Sequence, residues 1–256
     1  MSEFFSVFTN GFNKIAETFA ELPESFSYAL SDPATLFGIA GMLILIVALI
    51  KIRKVKLDTK TLTMIAIAVA LTTVLKMFKL WQMPNGGSVT MGSMIPILLL
   101  ALVYGTETGL LAGFIYGIID FILGPWIVHP VQVLFDYPLP FMMLGLAGMF
   151  REGAPLNLCL NKFLDKFIHS SNTHSESLKL KINCMVGVFI AILARCICHI
   201  ISGVVFFADS AGEMSPYLYS FLYNAGFLSA EFLICIVVMS IIPLKRIIKT
   251  MVTASR

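Results

Sequence analysis

The sequence predicts an all-α integral membrane protein, and three observations carry that prediction. Hydrophobic residues make up 58% of the chain and charged ones only 13%, with a mean hydropathy of +0.89, which leaves too little polar surface to solvate a soluble globule of 256 residues. Apolar runs long enough to cross a hydrocarbon core of about 30 Å recur along the chain. Their lengths are helical and do not follow the alternation of roughly ten-residue strands in an outer-membrane barrel. The net charge of +3 comes largely from basic clusters beside these runs, a topology signal that implies no nucleic-acid partner.

Residues 1–33 place Phe4, Phe8, Phe12, Ile15, Phe19 and Leu22 at helical spacing among Glu3, Glu17, Glu21 and Glu24, which predicts an amphipathic segment lying on the membrane. Its acidic flank and the late start of the first apolar run argue against a secretory signal. That run, Ala34 to Ile50, is an extra transmembrane helix, and with its basic stop it occupies 34–56. Further runs at 62–80, 92–105, 109–124, 131–150, 182–207 and 218–243 fill a membrane domain at 57–246 and bring the predicted crossings to seven. Lys51, Arg53, Lys54, Lys56 and Lys60 follow the first run, and Lys162, Lys166, Lys179 and Lys181 lie in the polar loop 151–181. Lys245, Arg246 and Lys249 stand where the tail 247–256 begins. The positive-inside rule places all three clusters in the cytoplasm and residue 1 outside. Segments 81–91, 124–131 and 208–217 then face outward and hold Trp81, Asn85, Trp126, His129 and Tyr217.

Gly109, Gly113 and Gly117 recur every four residues, as do Ala66 and Ala70, so each set lets a neighbouring backbone approach one helix face. The five cysteines lie mostly in apolar runs and are predicted to be small buried hydrophobes. Cys196, Cys198 and His199 resemble part of a metal site, but no second ligand cluster accompanies them, and no metal or cofactor is predicted.

Asp120, Asp136, Arg195, His199, Asn224 and Glu231 stand inside apolar segments, where an ionised group costs about 2.5–3.5 kcal/mol. Such groups need partners, a cavity or a ligand. Arg195, His199, Ser202 and Gly203 form a polar stripe on one helix, suited to the wall of a site. The alternative is a structural network in which Arg195 pairs with Glu231 or Asp120. Pro138 and Pro140 predict a helix start or kink just after Asp136 and Tyr137, and irregular backbone in a membrane is tolerated where it lines a cavity. Asp136, without a basic residue nearby in sequence, suits a cationic ligand, and Tyr137, Phe207, Tyr219 and Tyr223 offer aromatic faces for one.

Residues 61–246 resemble the thiamine-specific substrate-binding components of energy-coupling factor transporters. The resemblance rests on Gly92-Ser-Met-Ile-Pro96, on the segment from Tyr104 to Gly117, on Gln132-Val-Leu-Phe-Asp-Tyr137, on His199-Ile-Ile-Ser-Gly203 and on Tyr219-Ser-Phe-Leu-Tyr-Asn224. It implies a six-helix bundle, here preceded by the extra helix, that binds thiamine or a close analogue near the outer face of a bacterial plasma membrane. It also implies that Asp136, Tyr137, His199, Ser202, Gly203, Tyr219 and Asn224 surround the vitamin and that Trp81 closes over it. Ala66 and Ala70 would dock on a transmembrane coupling protein served by two ATPase subunits. The chain has no phosphate-binding Gly-x-x-x-x-Gly-Lys-Ser/Thr loop of its own. Asp136 stands where the family usually has glutamate and Phe207 where it often has tryptophan. These departures keep the charge and stacking chemistry and bear on affinity or on preference for an analogue. A substrate-binding component for a thiamine precursor or another vitamin, an intramembrane enzyme using Asp120, Asp136 and His199, and a purely structural subunit are the competing readings.

The topology is testable by cysteine accessibility. In a background without the native cysteines, a cysteine near position 9 is expected to react with an impermeant thiol reagent in intact cells, and one near position 247 only after permeabilisation. The reverse pattern contradicts the predicted orientation.

Overall fold

The computed structural model describes residues 58–124, 126–168 and 173–254, with positions 9, 10 and 13 besides. Apart from those three positions, the amphipathic segment 1–33 and the extra helix 34–56 lie outside the described residues. The first described helix, α1 (Thr59–Met77), starts where the Asp58 carboxylate accepts from the Thr61 amide and hydroxyl, an N-cap that satisfies an otherwise orphan donor. One stripe of α1, with Thr61, Ile65, Ala68, Val69 and Thr72, is buried against the bundle. The opposite face leaves Leu62, Ile67, Leu71 and Val74 exposed, with Ala66 and Ala70 exposed among them.

The chain then turns back as a hairpin of β1 (Lys79–Gln82) and β2 (Ser88–Thr90), closed at Asn85 and Gly86, where positive φ suits those two residue types. This hairpin occupies most of the segment predicted as an outer loop. The run at 92–105 forms a helix, α2, only over Ile95–Tyr104. Ten residues span about 15 Å, half of a hydrocarbon core, so that run is not a crossing by itself. Ahead of it, β2 packs against α8 (Pro216–Ile241). Gly87 N–H donates to the Tyr223 hydroxyl at 3.0 Å, and Thr90 N–H to Glu231 at 2.5 Å. Those two α8 residues lie about 12 Å apart along the helix, close to the roughly 10 Å covered by the strand between its two contacts.

Helix α3 (Thr106–Leu123) carries the glycine stripe, and the stripe is a packing face. A Cβ at Gly113 would sit 2.0 Å from the Phe141 carbonyl oxygen, and one at Gly117 would sit 2.6 Å from the Tyr137 carbonyl oxygen. The run at 131–150 is broken as the prolines predict: α4 (Pro130–Asp136) and α5 (Pro138–Met143) meet at Tyr137, and a 3-10 stretch continues over Leu144–Phe150. The segment 151–181, predicted as a polar loop, is largely helical. It holds α6 (Pro155–Leu164) and the start of α7 (Thr173–Phe206), which at 34 residues is about 51 Å long and overshoots the core. On α6, Asn157 and Asn161 bond toward Phe150 and Asn183, while Leu156, Leu158 and Phe163 are exposed, so hydropathy alone misreads this helix. The basic tail forms α9 (Leu244–Ala254), held to the end of α2 by the Tyr104 hydroxyl donating to the Met251 carbonyl at 3.1 Å. Five helical segments among the described residues are long and apolar enough to cross a membrane, with α2 as a shorter sixth, so the protein is a multi-pass membrane bundle.

Replacing Gly113 by alanine is expected to cost about 3 kcal/mol or more, because the new methyl group meets backbone that has nowhere to move. Gly226 has no atom within 4 Å of an added Cβ, and alanine there should leave stability unchanged or raise it by about 0.5–1 kcal/mol. Thermal unfolding of both variants in detergent checks the pair; equal midpoints would contradict the packing account.

Candidate ligand-binding cavity

At the hairpin end of the bundle a cavity of about 380 Å³ opens between α1, the hairpin, α3, α4, α5, α7 and α8, within the ~300–1,000 Å³ usual for small-molecule sites. Asp136 reaches it from the last turn of α4, immediately before the proline-enforced break. Its Oδ2 accepts from Gln132 Nε2 at 2.5 Å, and its Oδ1 lies 3.5 Å from His199 Nδ1. No lysine or arginine nitrogen lies within 4.0 Å of Asp136 among the described residues, so its charge is not cancelled by a permanent cation.

Arg195 sits one helical turn from His199 on α7. Its Nε donates to His199 Nε2 at 3.4 Å, and its guanidinium lies 4.4 Å from the centre of the Phe141 ring, a cation–π contact. The structural pairing of Arg195 with Glu231 or Asp120 is not formed. Asp120 instead pairs with Lys76, and Glu231 accepts from the Thr90 amide and hydroxyl at 2.5 and 2.7 Å. Gly203 lies where α7 and α8 touch, since a Cβ there would be 2.2 Å from Ser220 Oγ. Asn224 crosses the same contact, its amide donating to the His199 carbonyl at 3.3 Å and the Ser220 carbonyl at 2.9 Å. Tyr219 and Tyr223 stack with centroids 6.0 Å apart. The Tyr223 hydroxyl donates to the Pro84 carbonyl, and Asn85 Nδ2 donates to the Tyr219 hydroxyl at 3.4 Å, so both rings are tied to the hairpin.

Asp136, Tyr137, Arg195, His199, Gly203, Phe207, Tyr219, Tyr223 and Asn224 all line this cavity. Tyr137 contributes only its ring, because its hydroxyl accepts from Trp126 N–H at 2.8 Å and donates to the Gly124 carbonyl at 3.2 Å, pinning the link before α4. Two predicted site residues stand elsewhere. Trp81 is 65% exposed and does not line the cavity, whereas Lys79 and Gln82 do. A register irregularity between Lys79 and Trp81 shifts the alternation of β1, so the indole points away. Ser202 is buried at 1% exposure off the cavity. At i+3 from His199 it lies on the other side of the i, i+4 row formed by Arg195, His199 and Gly203.

Sequence reasoning did not place Lys76, Thr90, Trp126, Phe141 or Phe227 in this wall, where the structure puts them. Asp120 and Glu231 carried a signal as acids in apolar runs, Lys76 as a cation in one and Trp126 as an aromatic in an outward-facing segment; Thr90, Phe141 and Phe227 carried none, because their roles come from tertiary placement.

A model of the family described as thiamine transporter protein (Thia_YuaJ) matches residues 62–251, about three quarters of the chain. The protein belongs to this family. The thiamine transporter ThiT of Bacillus subtilis (strain 168) is 34% identical over 181 residues, covering 70% of this chain and 85% of that protein. The protein of the same name from Lacticaseibacillus paracasei is 30% identical over 154 residues, covering 58% and 70%. A solved structure of ThiT from Listeria monocytogenes, 22% identical, superposes with a TM-score of 0.58 over 76% of this chain and 96% of that one, and shows the shared fold. Membership of a transporter family sets aside the intramembrane-enzyme alternative.

The Lys76–Asp120 pair ties α1 to α3 at the cavity rim, with Asp120 nearly buried and Lys76 about one third exposed. Asp120→Asn is expected to destabilise the protein by about 3 kcal/mol, the low end for a buried pair that loses one partner. The double variant Lys76→Met, Asp120→Leu should recover most of that loss, since two apolar groups leave no stranded charge. Thermal unfolding decides; a double variant as unstable as Asp120→Asn contradicts a charge-balance role.

Proposed function

We propose that this protein captures thiamine at the outer face of a bacterial plasma membrane as the substrate-binding subunit of an energy-coupling factor transporter. The observation that carries the proposal is Asp136 facing His199, without a lysine or arginine partner among the described residues, in an aromatic-walled cavity of a chain from the thiamine transporter family. Thiamine joins a cationic thiazolium ring to a flat aminopyrimidine. Asp136 balances the cation, Tyr219, Tyr223 and Phe207 supply ring faces, and His199 with Asn224 supplies hydrogen-bonding groups. Gly203 keeps α7 and α8 close enough for these side chains to converge. Trp81 and Ser202 are left out of this contact set because neither lines the cavity.

The exposed face of α1 with Ala66 and Ala70 is the docking face for a transmembrane coupling protein, since small residues on an open apolar helix allow close backbone approach. Two ATPase subunits supply the energy. The basic residues Lys245, Arg246 and Lys249 on α9 support an orientation with that end of the bundle in the cytoplasm and the hairpin end outside.

Asp136→Asn is expected to weaken thiamine binding about a hundredfold, the loss for removing one charge from a desolvated ion pair, while the variant remains folded and extractable. Calorimetric titration of purified wild-type and variant protein measures this. Unchanged affinity would remove Asp136 from the site.

A further inference from the structure

We propose that the deep end of the cavity is a second recognition point, in which Glu231 and Arg195 together take an uncharged group of the ligand that donates to the carboxylate and accepts from the guanidinium. The inference rests on thiamine being the ligand. Glu231 is 3% exposed, and both Thr90 donors converge on its Oε1. Its Oε2 is buried and has no hydrogen-bond partner among the described residues. Arg195 donates through Nε to His199, and no carboxylate oxygen lies within 4.0 Å of its guanidinium among the described residues. Both residues line the cavity. Opposite charges thus face one space without closing on each other, and a buried carboxylate oxygen left unpaired is costly. A group with a donor and an acceptor side by side completes both.

The depth fits the second end of an elongated ligand. Glu231 lies about 22 Å along α8 from Pro216, and Arg195 about 6 Å deeper on α7 than His199, so a cation held at Asp136 leaves the rest of the molecule to reach them. Thiamine has two groups of the required kind. One is the aminopyrimidine edge, where an amino donor adjoins a ring-nitrogen acceptor; the other is the hydroxyl of its hydroxyethyl arm. Either offers the donor and the acceptor that Glu231 and Arg195 lack, whereas a phosphate on that arm would bring an anion against Glu231.

The test is a chemical double-mutant cycle on the purified full-length protein. Wild type and Glu231→Gln are titrated by calorimetry with thiamine, with the analogue lacking the amino group and with the analogue lacking the hydroxyl. Glu231→Gln is expected to weaken thiamine about tenfold or more and to have no effect on one analogue, the one missing the group that meets Glu231. A loss of equal size for all three ligands, or none for any, overturns the inference while leaving thiamine binding intact. Should the variant not fold, the wild type decides: a tenfold or greater loss with one analogue supports the subsite, and both analogues binding as tightly as thiamine overturns it. A wild type that binds no thiamine removes the parent reading and this inference with it.

Discussion

A bilayer offers no hydrogen-bond partners, so any backbone that leaves helical geometry inside it must be satisfied by the protein itself. Strand β2 and the turn before it are non-helical backbone packed against the bundle, and α8 satisfies them: Tyr223 serves Gly87 and Pro84, and Glu231 serves Thr90. Much of the architecture follows from that fastening. It brings the chain back to the bundle as a strand just ahead of the ten-residue α2. The same strand forms one wall of the cavity, and the stacked Tyr219 and Tyr223 that hold its tip form another.

The polar groups around the cavity divide by whether the fold closes them. Lys76 with Asp120, Thr90 with one oxygen of Glu231, and the Tyr137 hydroxyl with Gly124 and Trp126 are complete within the protein and fix element positions. Among the described residues Asp136, though held by Gln132 and His199, has no lysine or arginine partner, the Arg195 guanidinium has no carboxylate within 4.0 Å, and the second oxygen of Glu231 has no hydrogen-bond partner. Since unpaired charge in a low-dielectric setting is expensive, its retention in a cavity points to a ligand. The chemistry asked of that ligand is a cation at one point and a neutral hydrogen-bonding group at another, joined by flat rings.

Most of the helices were legible in the sequence because hydropathy reports which residues lack water, and the break at Asp136–Pro140 because proline chemistry is local. The polar stripe was legible too, with Arg195, His199 and Gly203 sharing a four-residue row; Ser202, one row over, shows that the stripe marks the wall to within one helix row. What was hidden depends on long-range placement. Nothing local to Thr90 announces that it will meet Glu231, and the partner of Asp120 turned out to be Lys76, far away in sequence. A register irregularity in a four-residue strand decided the direction of Trp81. Helix α6 escaped because its buried residue is Asn157 while Leu156, Leu158 and Phe163 are exposed, which reverses the usual pattern.

Whether the cavity under the hairpin is the thiamine site is tested most directly by an experimental structure of the protein at saturating thiamine. Density for the vitamin with its thiazolium ring beside Asp136 and its far end toward Arg195 and Glu231 is the predicted result. An empty cavity at saturation, or thiamine bound elsewhere on the bundle, would contradict it.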